Sequence, residues 1–596
     1  MKTNYHTLII GTGCAGFNAA DRLYDFGIKD IAIITEGRFM GTSRNTGSDK
    51  QTYYKLSLCG NDADSVRDLA DTLYSGGGVM GEHALCEAAY STRCFMRLVE
   101  LGVPFPTNEF GEYAGYKTDH DPRTRATSCG PLTSKYMTEA LERSVISKGI
   151  EIIDFQRVIK IITKNNAVTG VALANTVTGD ISVIACKNVI LCTGGPACIY
   201  KNTVYPESQH GAIGLAIDAG AALSNMEQWQ YGIASIKFRW NLSGSYQQVL
   251  PRYISVDKNG NENEFLYEKL GADSLGFIFL KGYQWPFDTK KADGSSMVDI
   301  LVAEQIKMGN RVYLDFTKNP KGLENGFDPL PKEAYDYLKR SKALLGTPIE
   351  RLEKMNIGAI ELYADHGICL YKEPLEIAVC AQHCNGGVAV DANWQSEING
   401  LYAAGEAAGT FGVYRPGGSA LNSTQVGSLR AAEHISKKAL TASYEPHYAL
   451  PSIKYGLSNL AEIKDALSSK MSQVADFDRS TKGMAALFER ISILCNEFFE
   501  RATIKDTSEI AELFKLYDMA LTQRATLSAM LCSANAIGTH GSAFVDRKPQ
   551  KNPDLKIKTR TITKGAESRQ SPVSPMPSPE LWFETLLAKS KKENKK

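Results

Sequence analysis

The sequence predicts an α/β fold: a Rossmann-like domain, an inserted α+β capping domain and a C-terminal helical domain. Three observations predict it. Residues 5–36 read as strand, glycine turn, helix and strand; residues 188–195 and 400–406 are further short apolar runs halted by glycine; and residues 457–536 carry helical periodicity, following an irregular aromatic stretch at 235–373. The 596 residues are too many for one compact core, and about two to four domains are expected.

In the first element, YHTLIIGTGCAGFNAADRLYDFGIKDIAIITE, the apolar run Leu8 to Ile10 meets Gly11, Gly13 and Gly16 before a helix and a second strand, Ile31 to Thr35. Gly11 allows the tight turn, Gly13 lets backbone approach a pyrophosphate, and Gly16 lets helix and strand pack closely. Phosphates would sit at the helix N-terminus, where N–H groups point outward. Glu36 closes the second strand at the distance where a carboxylate accepts hydrogen bonds from ribose hydroxyls. An adenine dinucleotide is the leading reading, against a glycine-rich turn of some other α/β protein.

The stretch after Glu36 is rich in Gly, Ser, Thr and Asn. It either wraps a cofactor or forms a solvated loop. Residues 61–102 read as helices. Lys117 to Thr127 gathers His120, Arg123 and Arg125, facing a ligand or solvent. A helix is expected over Thr133 to Ser147, then a meander of strands over Ile150 to Ile162, Ala167 to Ala174 and Ile181 to Ala185. Asn188 to Gly195 reads as a buried parallel strand delivering a glycine turn. GLYAAGE at 400–406 is another such strand, and RPGGSALNSTQ at 415–425 leads into a helix over Val426 to Ala439. Amphipathic helices follow at Met484 to Phe499 and Ile510 to Leu531. The expected divisions are 1–234 and 374–445 for the nucleotide-binding domain, 235–373 for the capping domain, 446–546 for the helical domain and 547–596 for a basic Pro/Ser-rich surface tail with one amphipathic fragment, Pro579 to Lys589.

Lys plus Arg total 67 against 66 Asp plus Glu, which argues against nucleic acid as a partner. The 13 cysteines form no CxxC pair, so reduced thiols in the cytoplasm are expected, with no metal or iron–sulfur ligand pattern. No apolar run reaches the ~20 residues needed to cross a bilayer, and the first apolar run is already the nucleotide-binding strand rather than a signal peptide.

The ordered set GTGCAG at 11–16, Glu36, ILCTGG at 190–195, GAIGLAIDAGAALSNMEQWQ at 211–230, HCNGGVAVD at 383–391, GLYAAGE at 400–406, YRPGGSALNS at 414–423 and THGSAF at 539–544 resembles the flavoprotein family of succinate dehydrogenase, fumarate reductase and L-aspartate oxidase. The resemblance implies an FAD-binding domain. Gly11, Gly13 and Gly16, with Ala15 and Gly37 beside them, would hold the pyrophosphate, and Glu36 the adenosine ribose. Ser43, Arg44, Asn45, Thr46 and Gly47 would run past the flavin, and Thr193, Gly194 and Gly195 would support the pyrophosphate side. Glu406 would bind a hydroxyl of the cofactor's sugar chain. Ser419, Ala420 and Leu421 would meet the flavin N1/O2 edge, where oriented N–H dipoles stabilise the negative charge of a reduced flavin. His383 and Arg415 match substrate-binding positions, and an arginine there holds a carboxylate or polarises a carbonyl.

Three departures modify what the resemblance implies. No histidine lies in Gly41 to Lys50, where respiratory members attach FAD covalently, so noncovalent FAD is expected. Tyr231 and Gly232 stand where the family has a His-Pro pair that helps bind dicarboxylate, and Gly282 to Asn310 contains no arginine where the family has its proton donor. The expected function is hydride transfer between flavin N5 and a small organic substrate other than succinate or fumarate. An atypical fumarate reductase or L-aspartate oxidase is the alternative, and a flavin electron carrier or assembly subunit is the alternative from another class. Proton-transfer candidates are His383, Tyr414, Tyr231 and Tyr253. Arg252 either replaces the missing anchor or is a surface arginine, and Trp229 and Trp240 either pack on a substrate ring or belong to the core. A separate electron donor or acceptor is required. The oligomeric state stays open, a homo-oligomer included.

Overall fold

The computed structural model describes residues 2–61, 63–438, 445–552, 554, 558–579 and 582–593. Its main sheet has seven strands. Glu151–Ile153, Ile31–Ile34, Asn4–Ile10 and Ile181–Leu191 run parallel in that spatial order, and Leu401–Ala403 also pairs parallel with Ile181–Leu191. Ala167–Asn175 and Gln156–Lys164 extend the sheet antiparallel. The parallel strands are apolar without alternation, as burial on both faces demands: Leu8, Ile9, Ile33, Val189, Ile190 and Leu401 are all fully buried. The meander and the following parallel strand are not separate elements. Ile181–Leu191 is one continuous strand serving both.

Two helices close one side of this sheet. Cys14–Asp25 packs against Ser419–Lys437, and Asn18 ties them together by donating to the Gln425 carbonyl and the Ser428 hydroxyl. The second helix begins at Ser419 rather than Val426, because Gly418, at φ +93°, turns the chain into it seven residues earlier. Ala439, the last residue expected for it, lies outside the described residues.

A second sheet of six antiparallel strands, ordered Trp240–Asn241, Trp229–Ser235, Leu375–Cys384, Arg311–Asp315, Arg252–Val256 and Glu262–Asn263, carries its own apolar core. Trp229–Ser235 and Leu375–Cys384 pair with Gln230 opposite His383, which brings two distant motifs together. The C-terminal helices are led by Ile510–Ala536. Among the described residues no helix is long and apolar enough to cross a membrane.

The stretch from Arg547, expected as a surface tail, is corrected in part. Thr559–Lys564 and Glu567–Pro572 form a hairpin whose first strand pairs with Leu223–Ser224. Its inward positions are threonines rather than aliphatics. Thr561 donates to Glu227 and Thr563 hydrogen-bonds Ser568. An exposed helix, Phe583–Glu593, follows.

Candidate functional site

A cavity of about 1270 Å³ runs from the glycine turn past the N-terminus of Ser419–Lys437 to the second sheet. That exceeds the room a drug-sized ligand needs and suits a dinucleotide with a second small molecule beside it. At one end Gly11 sits at φ +110°, and a Cβ there would lie 2.5 Å from the Cys192 carbonyl oxygen. A Cβ on Gly16 would strike the Gly11 carbonyl, so these two glycines are required by backbone packing. Gly13 caps Cys14–Asp25 without a side chain, and beyond the Cys14 N–H, which donates to the Ser43 hydroxyl at 3.3 Å, the helix N-terminus faces the cavity as an anion site would. Gly11, Gly13 and Ala15 line the cavity, with Glu36, Gly37, Ser43, Thr46 and Gly47 around them.

Glu36 accepts from Arg157 at 2.6 Å and pairs with Lys515 at 3.1 Å. These cations hold its carboxyl at about 2 against the desolvation that opposes them. Burial and the same two cations push His210 down to about 4. The Glu36 carboxylate is therefore charged at neutral pH, and each oxygen keeps a further lone pair free to accept from a hydroxyl. Neither Arg157 nor Lys515 has a local motif to betray it, since each reaches Glu36 from a distant element.

In the middle, Thr193 and Gly194 line the cavity, and Gln209 donates to the Thr193 carbonyl at 2.6 Å. Glu406 accepts from the Cys384 N–H at 2.9 Å and from the Tyr205 hydroxyl, and burial raises its carboxyl to about 7. Ala420 and Leu421 line the cavity at the helix N-terminus that Gly418 opens. Five expected cofactor residues do not line the cavity. Arg44 turns to Glu139 and Glu142, and the Asn45 amide donates to the Phe39 and Gly41 carbonyls. Gly16 and Gly195 serve packing, the latter against Glu406. The Ser419 hydroxyl donates to Pro416, capping its own turn.

At the far end Arg415 donates to Gln230 at 2.7 Å and to Asn385 at 3.3 Å. Among the described residues no carboxylate oxygen lies within 4 Å of its guanidinium. Burial lowers it to about 10, so it stays cationic at neutral pH. Because an arginine only donates, the Asn385 atom facing it is the carbonyl oxygen. That same oxygen lies 3.0 Å from His383 Nδ1, which must then carry the proton. Burial, then the Arg415 charge, hold the imidazole well below its usual range, so His383 is neutral, and its buried, unprotonated Nε2 has no hydrogen-bond partner and lies 3.9 Å from Glu406 Oε1.

Other expected site residues lie elsewhere. Arg252 pairs with Glu264 at 2.8 Å and with Asp315 and Glu262, and it does not line the cavity. Two acids on the neighbouring strands, Asp315 and Glu262, and one at the start of the following helix, Glu264, claim it. Tyr253 donates to Gln247 at 2.7 Å, and Tyr231 bonds Tyr200 and the Ala475 carbonyl, both in the core. Tyr414 is outside the lining, although His120, whose ring is 5.0 Å from it, is part of it. Arg125 is a fully buried structural cation held by Asp64 and Asp121. Trp229 and Trp240 are core residues, and the indole that lines the cavity is Trp285. From the segment without arginine, Tyr283, Gln284, Trp285, Pro286 and Lys291 line it, with Lys291 held by Asp119 at 3.0 Å. Phe287 faces away, against Phe477 and Phe544.

These residues fit FAD: an uncapped glycine turn for a pyrophosphate, a fixed carboxylate for a ribose, and a second helix N-terminus farther along one cavity. Comparison with known proteins agrees. The FAD binding domain family model matches residues 6–421. The chain is 25% identical over 578 residues to a subunit of fumarate reductase (CoM/CoB) from Methanothermobacter marburgensis, covering 92% of this chain and 95% of that one. It is 23% identical to an L-aspartate oxidase of Agrobacterium fabrum over 73% of this chain and 74% of the other. In fold it resembles Mycobacterium smegmatis Sdh1, with a TM-score of 0.72 at 16% identity over 99% and 98% of the two chains. FrdA of the E. coli quinol fumarate reductase gives 0.68 at 19% identity over 98% of each. The chain belongs to the FAD binding domain family and is an FAD-dependent oxidoreductase of the succinate dehydrogenase, fumarate reductase and L-aspartate oxidase group.

Proposed function

We propose that the enzyme oxidises or reduces a small organic substrate whose carboxylate is held by Arg415, and that this substrate is neither succinate nor fumarate. The observation that carries the reading is the guanidinium itself, cationic, lining the cavity, hydrogen-bonded by the neutral amides of Gln230 and Asn385 and with Glu406 as its nearest acid beyond ion-pair distance. A buried cation that no carboxylate contacts directly, and whose nearest acid is raised to about 7, is left able to pair with a ligand carboxylate. FAD, when bound, supplies two-electron transfer at the flavin ring. Arg415 orients the substrate beside it, and His383, neutral, fixes the Asn385 amide through Nδ1 while its Nε2 lies 3.9 Å from Glu406. Noncovalent attachment follows from the lack of histidine at 41–50. The electron partner is a separate molecule.

A second reading, fumarate reduction, is favoured by the likeness over 92% of the chain to a protein described as part of a fumarate reductase. Against it stands the lack of any arginine between Gly282 and Asn310, the segment that closes the cavity.

The test is anaerobic titration of the oxidised holoenzyme with saturated and unsaturated carboxylates, followed through the flavin spectrum. A shift with at least one acid is expected, and Arg415→Gln should keep its flavin while weakening that acid about 30-fold, since removing one partner of a buried charge pair costs about 2 kcal/mol or more. Equal affinity in the variant would remove Arg415 from substrate binding.

A further inference from the structure

Hydride transfer leaves a proton to be moved, and the side chains expected to move it are not open to a substrate. Tyr231 and Tyr253 are buried in the core, Tyr414 is outside the cavity lining, and Nε2 of His383 is buried 3.9 Å from Glu406. His120 is different. It lines the cavity, and its side chain keeps 26% of its surface exposed, as that of Asp119 beside it keeps 19%.

Three contacts set the loop of His120 against the segment of Arg415. The Thr118 hydroxyl donates to the Gly417 carbonyl at 3.3 Å, the Gly417 N–H donates to the Asp119 carbonyl at 3.4 Å, and the His120 ring lies 5.0 Å from that of Tyr414. The two stretches are adjoining walls of one cavity, with Arg415 on one and His120 on the other. His120 takes φ +60°, a conformation uncommon outside glycine, and its N–H donates to Asp119 Oδ1 at 3.1 Å. The other oxygen of Asp119 lies 3.5 Å from His120 Nε2 and accepts from Lys291 at 3.0 Å. A carboxylate so placed orients an imidazole and stabilises the charge it gains with a proton.

Resting on the carboxylate reading of Arg415, we infer that His120 is the catalytic base of substrate oxidation and, once protonated, the acid of the reverse reaction. As one substrate C–H bond gives its hydride to the flavin, His120 takes the proton from the adjacent carbon, and the electron pair of that second C–H bond forms the new C=C bond. In reduction the imidazolium returns the proton to one carbon as the hydride adds to its neighbour. Both electrons pass between substrate and flavin, and His120 exchanges its proton with water. Burial holds the imidazole below its ordinary range, with Asp119 and Asp288 opposing and Lys291 and Lys290 reinforcing the shift. Reduction of an enoic acid needs the imidazolium, so it should slow by about tenfold per pH unit above that lowered value.

The experiment mixes the anaerobically reduced holoenzyme with crotonate, cinnamate and glutaconate, follows flavin reoxidation across pH, and measures binding of the same acids to the oxidised holoenzyme through the flavin spectrum. At least one acid should bind and react. His120→Asn, whose side chain tolerates the same backbone conformation, should bind that acid within about threefold of wild type, reoxidise at least about 100-fold more slowly and lose the fall in rate with pH. A second measurement needs no variant. Carbethoxylation of His120 in the oxidised wild-type holoenzyme, located by mass spectrometry, should slow about tenfold when the acid is present at about ten times its Kd. Reoxidation of the variant within about threefold of wild type, or no protection of His120 by a bound acid, would overturn the inference while leaving Arg415 in place. Silence of the wild type toward all three acids, in binding and in reoxidation, would overturn the Arg415 reading and this one with it.

Discussion

Replacing Gly11 with alanine puts the dinucleotide turn under a strain whose size follows from the geometry. Its φ of +110° is a conformation that costs a residue with a side chain about 1–3 kcal/mol. The new Cβ would also sit 2.5 Å from the carbonyl oxygen of Cys192, whose N–H is bonded to Ile10 at 2.9 Å in the parallel ladder. That backbone yields only by opening the ladder, at about 1 kcal/mol for each hydrogen bond lost. The chain relieves the strain by moving the loop, and a bound dinucleotide must restore it. The cost of about 2–4 kcal/mol then appears as a roughly 30- to 1000-fold weaker hold on FAD. The assay is the flavin-to-protein ratio after gel filtration, together with a fluorescence titration of the apoprotein with FAD. Gly27→Ala is the control, because Gly27 has φ +88° but nothing within 4 Å of a Cβ. It should cost about 1 kcal/mol of stability and no flavin. Wild-type flavin content in Gly11→Ala, or equal flavin loss in Gly27→Ala, would refute the reasoning.

Three other perturbations probe the surroundings. Lys515→Met removes one of the two cations on Glu36, so the carboxyl rises from about 2. Stability from a carboxylate with a lowered pKa is present above its unfolded value and lost as pH falls through the folded one, so acid release of flavin should begin at a higher pH in the variant. Glu87 is the opposite case, a buried carboxyl raised to about 8, which Asn422 bonds from the cofactor-facing helix. Between pH 4.5 and about 8 the folded chain keeps this proton and the unfolded chain does not, so stability falls as pH rises. Glu87→Gln should remove a loss of about 1.4 kcal/mol per pH unit in that window, seen as a flatter denaturation profile than wild type. Lys281→Met strands Asp299 without its partner and should cost about 3–5 kcal/mol of stability, most of it recovered in Lys281→Met/Asp299→Leu if burial of a lone charge is the cause.

What the sequence disclosed, and what it did not, follows the range of the interactions. The glycine turn was legible because its shape is set within one strand–helix–strand unit, by steric demands that only glycine meets at Gly11 and Gly16, and the same unit carries Glu36 to the cavity. Arg415 was singled out by the family resemblance of YRPGGSALNS, and the structure puts it in the cavity lining just before the helix that Gly418 opens. Arg252 misled because its three acidic partners, Glu262, Glu264 and Asp315, are assembled by strand pairing that leaves no trace in the local pattern. The same non-locality hid Trp285, whose place in the lining depends on Trp229–Ser235 lying against Leu375–Cys384 and on the loop after Lys281 folding over Gly232. The hairpin at 559–572 escaped notice for a different reason: its buried Thr561 and Thr563 are held by hydrogen bonds rather than by apolar contact, so no hydrophobic alternation marks the strand.

Whether this flavin enzyme grips its substrate by a carboxylate at Arg415 is decided by stopped-flow reoxidation of the anaerobically reduced holoenzyme. The oxidants are a series of enoic acids and their methyl esters, which differ only in the charge that Arg415 would bind. Reoxidation by at least one acid, with its ester slower by about 30-fold or more at equal concentration, is the predicted result. Acid and ester reacting at the same rate would contradict it.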